Sequence, residues 1–454
     1  MRSYDLAIIG SGPGGYVAAL YASRLKLKVC VVEKDLVGGT CLNRGCIPTK
    51  SLLHSASVFS AIKKSKAFGI NVDKCSFDFG SMVSRKDDVV KRLRTGIETL
   101  FKGSGVELIR ADARLSSPDT VSISGGQAVK AKKIIVATGS SVSGLHGIII
   151  DEKGVLSSDG ILNLQKVPGS LVVIGGGVIG CEFASLFNRL GTRVTIVEMT
   201  DKLIPGQSRE ASKKLETSLK KNGVDIILSS KVEAVEYAGC MAVRISGSRR
   251  VEADKVLVCV GRRPNTAGIG LEELGIVTDN GSIPVDGSMR TAVPDIYAIG
   301  DCVKGPMLAH RASYDGMLAC DNMTGNERKA DYSNIPSCIW TDPEIASVGL
   351  TEEAARAAYP EAKVAKFPYL GSGKAYLEGE TEGFVKIVGT PRGDLLGVEI
   401  FGRDACNLIG EATLAKASGM NIKDWSLVVH GHPTLSEILQ EAAQAFCGRG
   451  IHGL

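Results

Sequence analysis

Apolar and polar positions along this chain follow two different rhythms. Up to about residue 334, short unbroken apolar runs alternate with helix-like stretches, the mark of buried parallel strands joined by helices. Tyr4 to Ile9 predicts a strand, YVAALYASRLK after it a helix, and KVCVVEK a second strand that ends with Glu33. The same sequence of elements then recurs: SLVVIGGGVIG opens with a strand, CEFASLFNRLG reads as helix, and RVTIVEM ends its strand with Glu198. Each copy closes with a similar late strand, KKIIVATG ending at Gly139 and DKVLVCVG ending at Gly261. TAVPDIYAIGD, residues 291 to 301, predicts one more apolar strand, ending in Gly300-Asp301. Beyond about residue 334 the pattern changes. CIWTDPEIASVG, FVKIVG and LLGVEIFG read as antiparallel strands, followed by the helix-like IGEATLAKA and LSEILQEAAQAF, so a separate α+β domain is expected there.

The turns after the two opening strands carry chemistry. Gly10, Gly12 and Gly15 follow the first strand, and Gly175, Gly177 and Gly180 follow its repeat. In each copy the glycines suit a tight turn, a close approach of backbone to pyrophosphate and helix packing, and a carboxylate stands ready for ribose hydroxyls. Glu33 lies 18 residues after Gly15, and Glu198 lies 18 after Gly180. One such motif is weak evidence; two with matching strand, helix and acid predict two dinucleotide sites. Gly15 and Gly139 are 124 residues apart but Gly180 and Gly261 only 81, so the first copy holds about 43 extra residues. GGTCLNRGCIPTK, Gly38 to Lys50, lies early in that insertion. Asp301, at a strand end beside glycine, reads either as a turn residue or as an acceptor for a sugar hydroxyl.

Composition narrows the picture. With 454 residues and 44% hydrophobic content the chain has material for two to four globular domains. The formal charge of +5 is spread rather than clustered, which argues against nucleic acid as a partner. No apolar run approaches the roughly 18 residues of a membrane span, and the N-terminus enters a strand pattern at once. The expected compartment is the cytoplasm. Twelve cysteines are too dilute for a disulfide scaffold, and most sit in apolar runs.

Cys41 and Cys46 are the close pair in a special context. A zinc site would want further cysteines or histidines at ligand spacing, and none follows, so no metal is expected. A structural staple and a redox pair both remain open. In a regular helix, positions five apart are separated by about 7.5 Å along the axis, too far for a disulfide. Gly45 and Pro48 suit a distorted first turn that brings the sulfurs together, and a helix N-terminus favours thiolate. Six histidines occur in the chain, and two of them, His430 and His432, lie in HGHPTLSE. Glu437 falls early in the following helix, which Pro433 is expected to start, within reach of the His432 ring. The pattern fits a capping histidine as well as a carboxylate-oriented base.

GGTCLNRGCIPTK, GGGVIGCEF, YAIGD and HGHPTLSE together resemble the dihydrolipoamide dehydrogenase branch of the FAD-dependent pyridine nucleotide-disulfide oxidoreductases, over nearly the whole chain. The resemblance implies an α/β fold with two Rossmann-like nucleotide-binding domains plus a C-terminal α+β dimerisation domain. It implies FAD at the first glycine motif with Asp301, and NAD at the second. Cys46 becomes the flavin-facing sulfur, Cys41 the interchange thiol, and His432 with Glu437 the acid–base pair supplied across a homodimer. Lys50 is expected near the flavin, paired with Glu182; Thr40, Thr138, Gly139 and Gly261 join the cofactor-binding set. His430 is expected behind the catalytic pair.

The corresponding boundaries are 1–143 for the FAD-binding part with the redox disulfide, 144–266 for NAD, 267–333 completing the FAD site, and 334–454 for the interface domain. The expected reaction oxidises dihydrolipoyl groups and reduces NAD+. The alternatives are an NADPH-dependent, glutathione reductase-like enzyme and a non-catalytic subunit of a multienzyme complex. Glu198 ends its strand and is followed by Met199, Thr200, Asp201 and Lys202, and its carboxylate would repel a 2′-phosphate and favours NAD. No cysteine, base or nucleotide glycine of the family pattern is missing, which speaks against a non-catalytic subunit. Arg44 departs from the valine common between the two cysteines. The chain shows no lipoyl-type domain of its own, so a lipoyl-bearing domain or protein of a 2-oxoacid dehydrogenase or glycine cleavage complex is the expected partner.

Overall fold

The computed structural model describes residues 2–237 and 239–452. They fall into two compact units. The first takes the chain up to Leu145, then Ser157–Lys166 and Val260–Asp331; the second takes His146–Leu156, Val167–Cys259 and everything from Tyr332 on.

In the first unit, parallel strands run in the order Glu107–Arg110, Val29–Glu33, Arg2–Ile9, Gln127–Val136, with Ile296–Ala298 joined in parallel to Gln127–Val136. Ile8 stands opposite both Val31 and Ile135. Leu6, Ala7, Ile8 and Val31 are all fully buried, because both faces of this sheet are covered, and so the strands read as unbroken apolar runs. Truncating such a residue, as in Ile8→Ala, costs about 2–5 kcal/mol. Two antiparallel strands, Thr120–Ile123 and Ala113–Ser117, extend the sheet. Helix Pro13–Arg24 buries only small residues, among them Gly14, Ala18 and Ala22. Helix Ala309–Met323 can therefore approach it closely, with Ser313 Oγ donating to Pro13 O at 3.2 Å and Tyr21 OH to Asp321 Oδ1 at 2.7 Å.

The second unit repeats the arrangement. Asp225–Ile227, Arg193–Val197, Ser170–Ile174 and Lys255–Val258 take the same order as the first unit's four strands, and Val155–Leu156 lies at the far edge. Its α+β part is a five-stranded antiparallel sheet, ordered Ser337–Ile339, Glu344–Gly349, Leu395–Gly402, Phe384–Gly389, Lys363–Pro368. Ile387, Val398, Ile400, Ile409, Trp425 and Leu439 belong to the core between that sheet and its helices.

Three local expectations need correction. CIWTDPEIASVG is two strands rather than one, Ser337–Ile339 and Glu344–Gly349, paired antiparallel with Ile339 opposite Ile345; Pro343 in the connection has no N–H for a ladder. Strand Lys363–Pro368 was not foreseen; its mixed composition hides it. The last helix spans Glu437–Phe446, so Pro433 precedes it by a turn instead of starting it. Among the described residues, no helix is long and apolar enough to cross a membrane.

Candidate active site

The two glycine turns are built alike. Gly10 has φ +102° and Gly175 φ +107°, left-handed conformations that favour glycine. A Cβ on Gly15 would collide with the Gly10 carbonyl, and one on Gly180 with the Gly175 carbonyl. Glu33 Oε2 accepts from Ser11 N at 2.8 Å and Ser11 Oγ at 2.7 Å, while its Oε1 accepts from Asp35 N at 2.8 Å. Glu198 repeats this: Oε2 accepts from Gly176 N at 2.6 Å, and Oε1 from Thr200 N at 2.7 Å and Thr200 Oγ1 at 2.9 Å. A carboxylate has about four acceptor positions. Each acid thus spends three on its own loop and has one left over.

The helices that follow have no side-chain cap. Gly12 caps Pro13–Arg24 and Gly177 caps Val178–Arg189, whereas Ser208, Thr351 and Asn421 cap their helices through side-chain oxygens. The uncapped N–H groups suit a pyrophosphate. The residues present therefore fit FAD at one loop and NAD at the other.

The cysteine segment is spliced onto the first loop. Gly38 N donates to Ser11 O at 3.0 Å, and a Cβ on Gly39 would lie 2.6 Å from Gly12 Cα. Helix Gly39–Arg44 carries Thr40 and Cys41 and stops at Gly45, whose φ of −137° and ψ of −111° leave the helical region. Cys46 then begins a new helix, Cys46–Lys64. The break brings the two thiols into contact. Cys41 hydrogen-bonds Cys46; that bond, then burial, pushes the Cys41 thiol far up, and Lys50 nearby works against it. Cys46 sits at the positive end of a helix that favours charge on sulfur.

Sequence reasoning missed the brackets around the remaining first-unit positions. Asn265 clamps Thr138 and Gly139: it accepts from Thr138 Oγ1 at 2.6 Å through its carbonyl, and donates from Nδ2 to Thr138 O at 3.1 Å and from N to Gly139 O at 2.9 Å. Asp301 lies in the single turn Gly300–Cys302 and accepts from Ser140 Oγ at 2.6 Å. Ser140 in turn accepts from Arg262 Nε at 2.8 Å. Gly261, beside that arginine, has φ +124° and accepts from Ser143 N at 3.0 Å. The pairing of Ser140–Val142 with Arg262–Pro264 joins positions more than a hundred residues apart, and no local pattern announces it.

In the second unit Glu182 is buried on helix Val178–Arg189, and its Oε1 accepts from Trp340 N at 3.0 Å. His432 Nδ1 donates to Glu437 Oε1 at 2.9 Å, and Glu437 Oε2 accepts from Thr434 N at 2.8 Å. Burial opposes ionisation of Glu437, yet the Thr434 N–H and His432 together hold its carboxyl below the usual range. Because a carboxylate only accepts, Nδ1 carries the proton and Nε2 is the basic nitrogen. The His432 side chain is 78% exposed. His430 lies behind it, with Nε2 2.8 Å from Glu411 Oε1, which also takes the Trp425 indole N–H at 2.8 Å.

The comparisons agree across the chain. Residues 4–316 match the model of the pyridine nucleotide-disulphide oxidoreductases, and residues 335–443 match the dimerisation domain of the same enzymes. A dihydrolipoyl dehydrogenase of Chlamydia pneumoniae is 42% identical over 99% of this chain and 98% of its own length. One from Bacillus subtilis is 40% identical over 99% of each. Among solved structures, LpdA from Mycobacterium tuberculosis superposes with a TM-score of 0.92 at 26% identity, covering 98% of this chain and 99% of that one. The HOCl-induced flavoprotein disulfide reductase RclA of Escherichia coli reaches 0.89 at 28%, covering 98% and 100%. With two matched domains, two dinucleotide loops and a thiol pair spliced to the first of them, the chain belongs to the FAD- and NAD-dependent pyridine nucleotide-disulphide oxidoreductases.

Proposed function

We propose that this chain is a dihydrolipoyl dehydrogenase, in which Cys41 and Cys46 cycle between disulfide and dithiol. The carrying observation is the thiol–thiol hydrogen bond beside the first dinucleotide loop. His432 Nε2 takes a proton from a dihydrolipoyl thiol, with Glu437 orienting the ring and stabilising its charged form. The resulting thiolate attacks Cys41 of the disulfide, and the Cys41–Cys46 bond breaks with the electron pair left on Cys46. The second substrate thiol then displaces Cys41, which takes up that thiol's proton as it leaves, and a cyclic lipoyl disulfide is released; two electrons have passed to the cysteine pair, one proton rests on Cys41 and the other on His432. FAD and NAD supply the hydride chemistry that returns the pair to the disulfide. Lys50 serves the FAD site and Glu182 the NAD site. Thr40, Thr138, Gly139 and Asp301 hold FAD; Glu198 and Gly261 serve NAD.

The enzyme is a homodimer in which His432 and Glu437 serve the partner subunit's cysteines. Leu414, Leu427 and Val429, at 69%, 68% and 91% exposure, give the dimerisation domain an apolar face for a second copy. The lipoyl group arrives on a domain or protein of a 2-oxoacid dehydrogenase or glycine cleavage complex. Twelve cysteines dispersed through 454 residues are too dilute for a disulfide scaffold, and we place the protein in the cytoplasm. The test is anaerobic titration of the purified flavoprotein with dihydrolipoamide. The expected result is a long-wavelength absorption band and turnover with NAD+; flavin that responds to NADPH but not to dihydrolipoamide would make it a different disulfide reductase.

A further inference from the structure

A second pair of thiols meets in the α+β part of the chain. Cys338 lies in strand Ser337–Ile339, opposite Ala346, and Cys406 in the first turn of helix Ala405–Ala417. Cys338 Sγ is 3.9 Å from Cys406 O, and Cys406 Sγ is 3.7 Å from Ile339 O and 3.8 Å from Ile345 O. The Cys406 thiol hydrogen-bonds Cys338, and both pack on the apolar core while keeping partial exposure. Neither takes part in the reaction above.

The two sulfurs are not equivalent. The bond to Cys338, then burial, then the nearby Glu344 carboxylate push the Cys406 thiol far up. Glu344 is held in place by the Cys406 N–H, 3.0 Å from its Oε2. The Glu344 carboxylate thus lies on the Cys406 side of the pair. A strand and a helix, each fixed by the core, hold two thiols in contact, and a bond of about 2.05 Å is the remaining step.

We propose that Cys338 and Cys406 are a second redox site, a dithiol that closes to a disulfide by exchange with cyclic disulfides of the lipoyl class. The choice of oxidant rests on the proposed function, which generates that disulfide at every turnover. Cys338 loses its proton to solvent and attacks one substrate sulfur; the ring S–S bond breaks, and the released sulfur takes a proton from water. Cys406, deprotonated in turn, attacks the Cys338 sulfur of the mixed disulfide and frees the second substrate sulfur as a thiol. Two electrons leave the cysteine pair and one dithiol is made. A disulfide here ties the strand to the helix and closes a long loop, which restricts the unfolded chain.

The flavin-bound full-length protein is reduced, freed of reductant and incubated anaerobically with excess oxidised lipoamide, then alkylated with iodoacetamide and digested without reductant. Mass spectrometry is expected to find Cys338 and Cys406 lost from the alkylated pool and joined in one linked peptide, lighter by two hydrogens than its separate parts. Cys338→Ser is expected to leave Cys406 alkylated, and Cys406→Ser to leave Cys338 alkylated or held in a mixed disulfide with lipoamide. If Cys338 and Cys406 stay alkylated in a sample where Cys41–Cys46 has closed, the second site is overturned while the active-site reading stands. Dihydrolipoamide–NAD+ turnover, measured on the same preparation, reports on that reading separately.

Discussion

Glu437 grips the His432 ring by Nδ1 at 2.9 Å and is itself gripped by the Thr434 N–H at 2.8 Å, so one carboxylate sets both the tautomer and the aim of the imidazole. Removing the base by His432→Ala is expected to lower kcat for dihydrolipoamide by about 10²–10⁴-fold. Reduction of the flavin by NADH, which needs no thiol deprotonation by this histidine, is expected to stay within a few-fold. Stopped-flow absorbance of the two half-reactions separates these effects.

The same pair has a signed response to acid. The Glu437 carboxyl is held below its ordinary value, so its interactions stabilise the fold above that ordinary value and are lost as pH falls through the lowered one. Glu437→Gln removes this contribution. Thermal midpoints of variant and parent are expected to differ at neutral pH and converge in strong acid.

Cys41 and Cys46 are expected to fail differently. With Cys41→Ser, Cys46 keeps its place at the helix start, and a long-wavelength band is expected to appear at alkaline pH without any reductant. With Cys46→Ser the band is expected to be absent at every pH. Both variants are expected to lose dihydrolipoamide turnover, measured by NADH formation.

Glu198 uses three acceptor positions on its own loop, so replacing it disturbs the loop as well as the ribose contact. Glu198→Gln is expected to raise KM for NAD+ by about 10–100-fold, the range for one charge-assisted hydrogen bond of about 1.5–3 kcal/mol. Discrimination against NADP+ is expected to narrow, since the repelling charge is gone. Steady-state kinetics with both nucleotides reads this.

Gly39 has φ +61° and nestles against Gly12. Gly39→Ala adds about 1–2 kcal/mol of backbone strain, besides the contact with Gly12 Cα. The flavin content of the purified variant, read by absorbance, is expected to fall together with its thermal midpoint.

What could be read in advance follows the range over which the physics acts. The paired glycine turns and Glu33 and Glu198 are local, because a tight turn needs its glycines in sequence and the acid ends the next strand. The meeting of Cys41 and Cys46 was legible through Gly45, which breaks the helix where a bridge requires it. The brackets of Asn265 on Thr138, of Arg262 on Ser140 and of Ser140 on Asp301 were not, since they join residues more than a hundred positions apart. Strand Lys363–Pro368 and the break at Trp340–Pro343 escaped because edge strands carry weak apolar patterns and depend on neighbours for their register. Helix Glu437–Phe446 starts later than Pro433 suggests, since Thr434 N is committed to the Glu437 side chain.

Glu33 and Glu198 each brace their own glycine turn before any nucleotide arrives. The two turns are therefore braced independently, and a substitution that loosens one leaves the hydrogen bonds of the other in place.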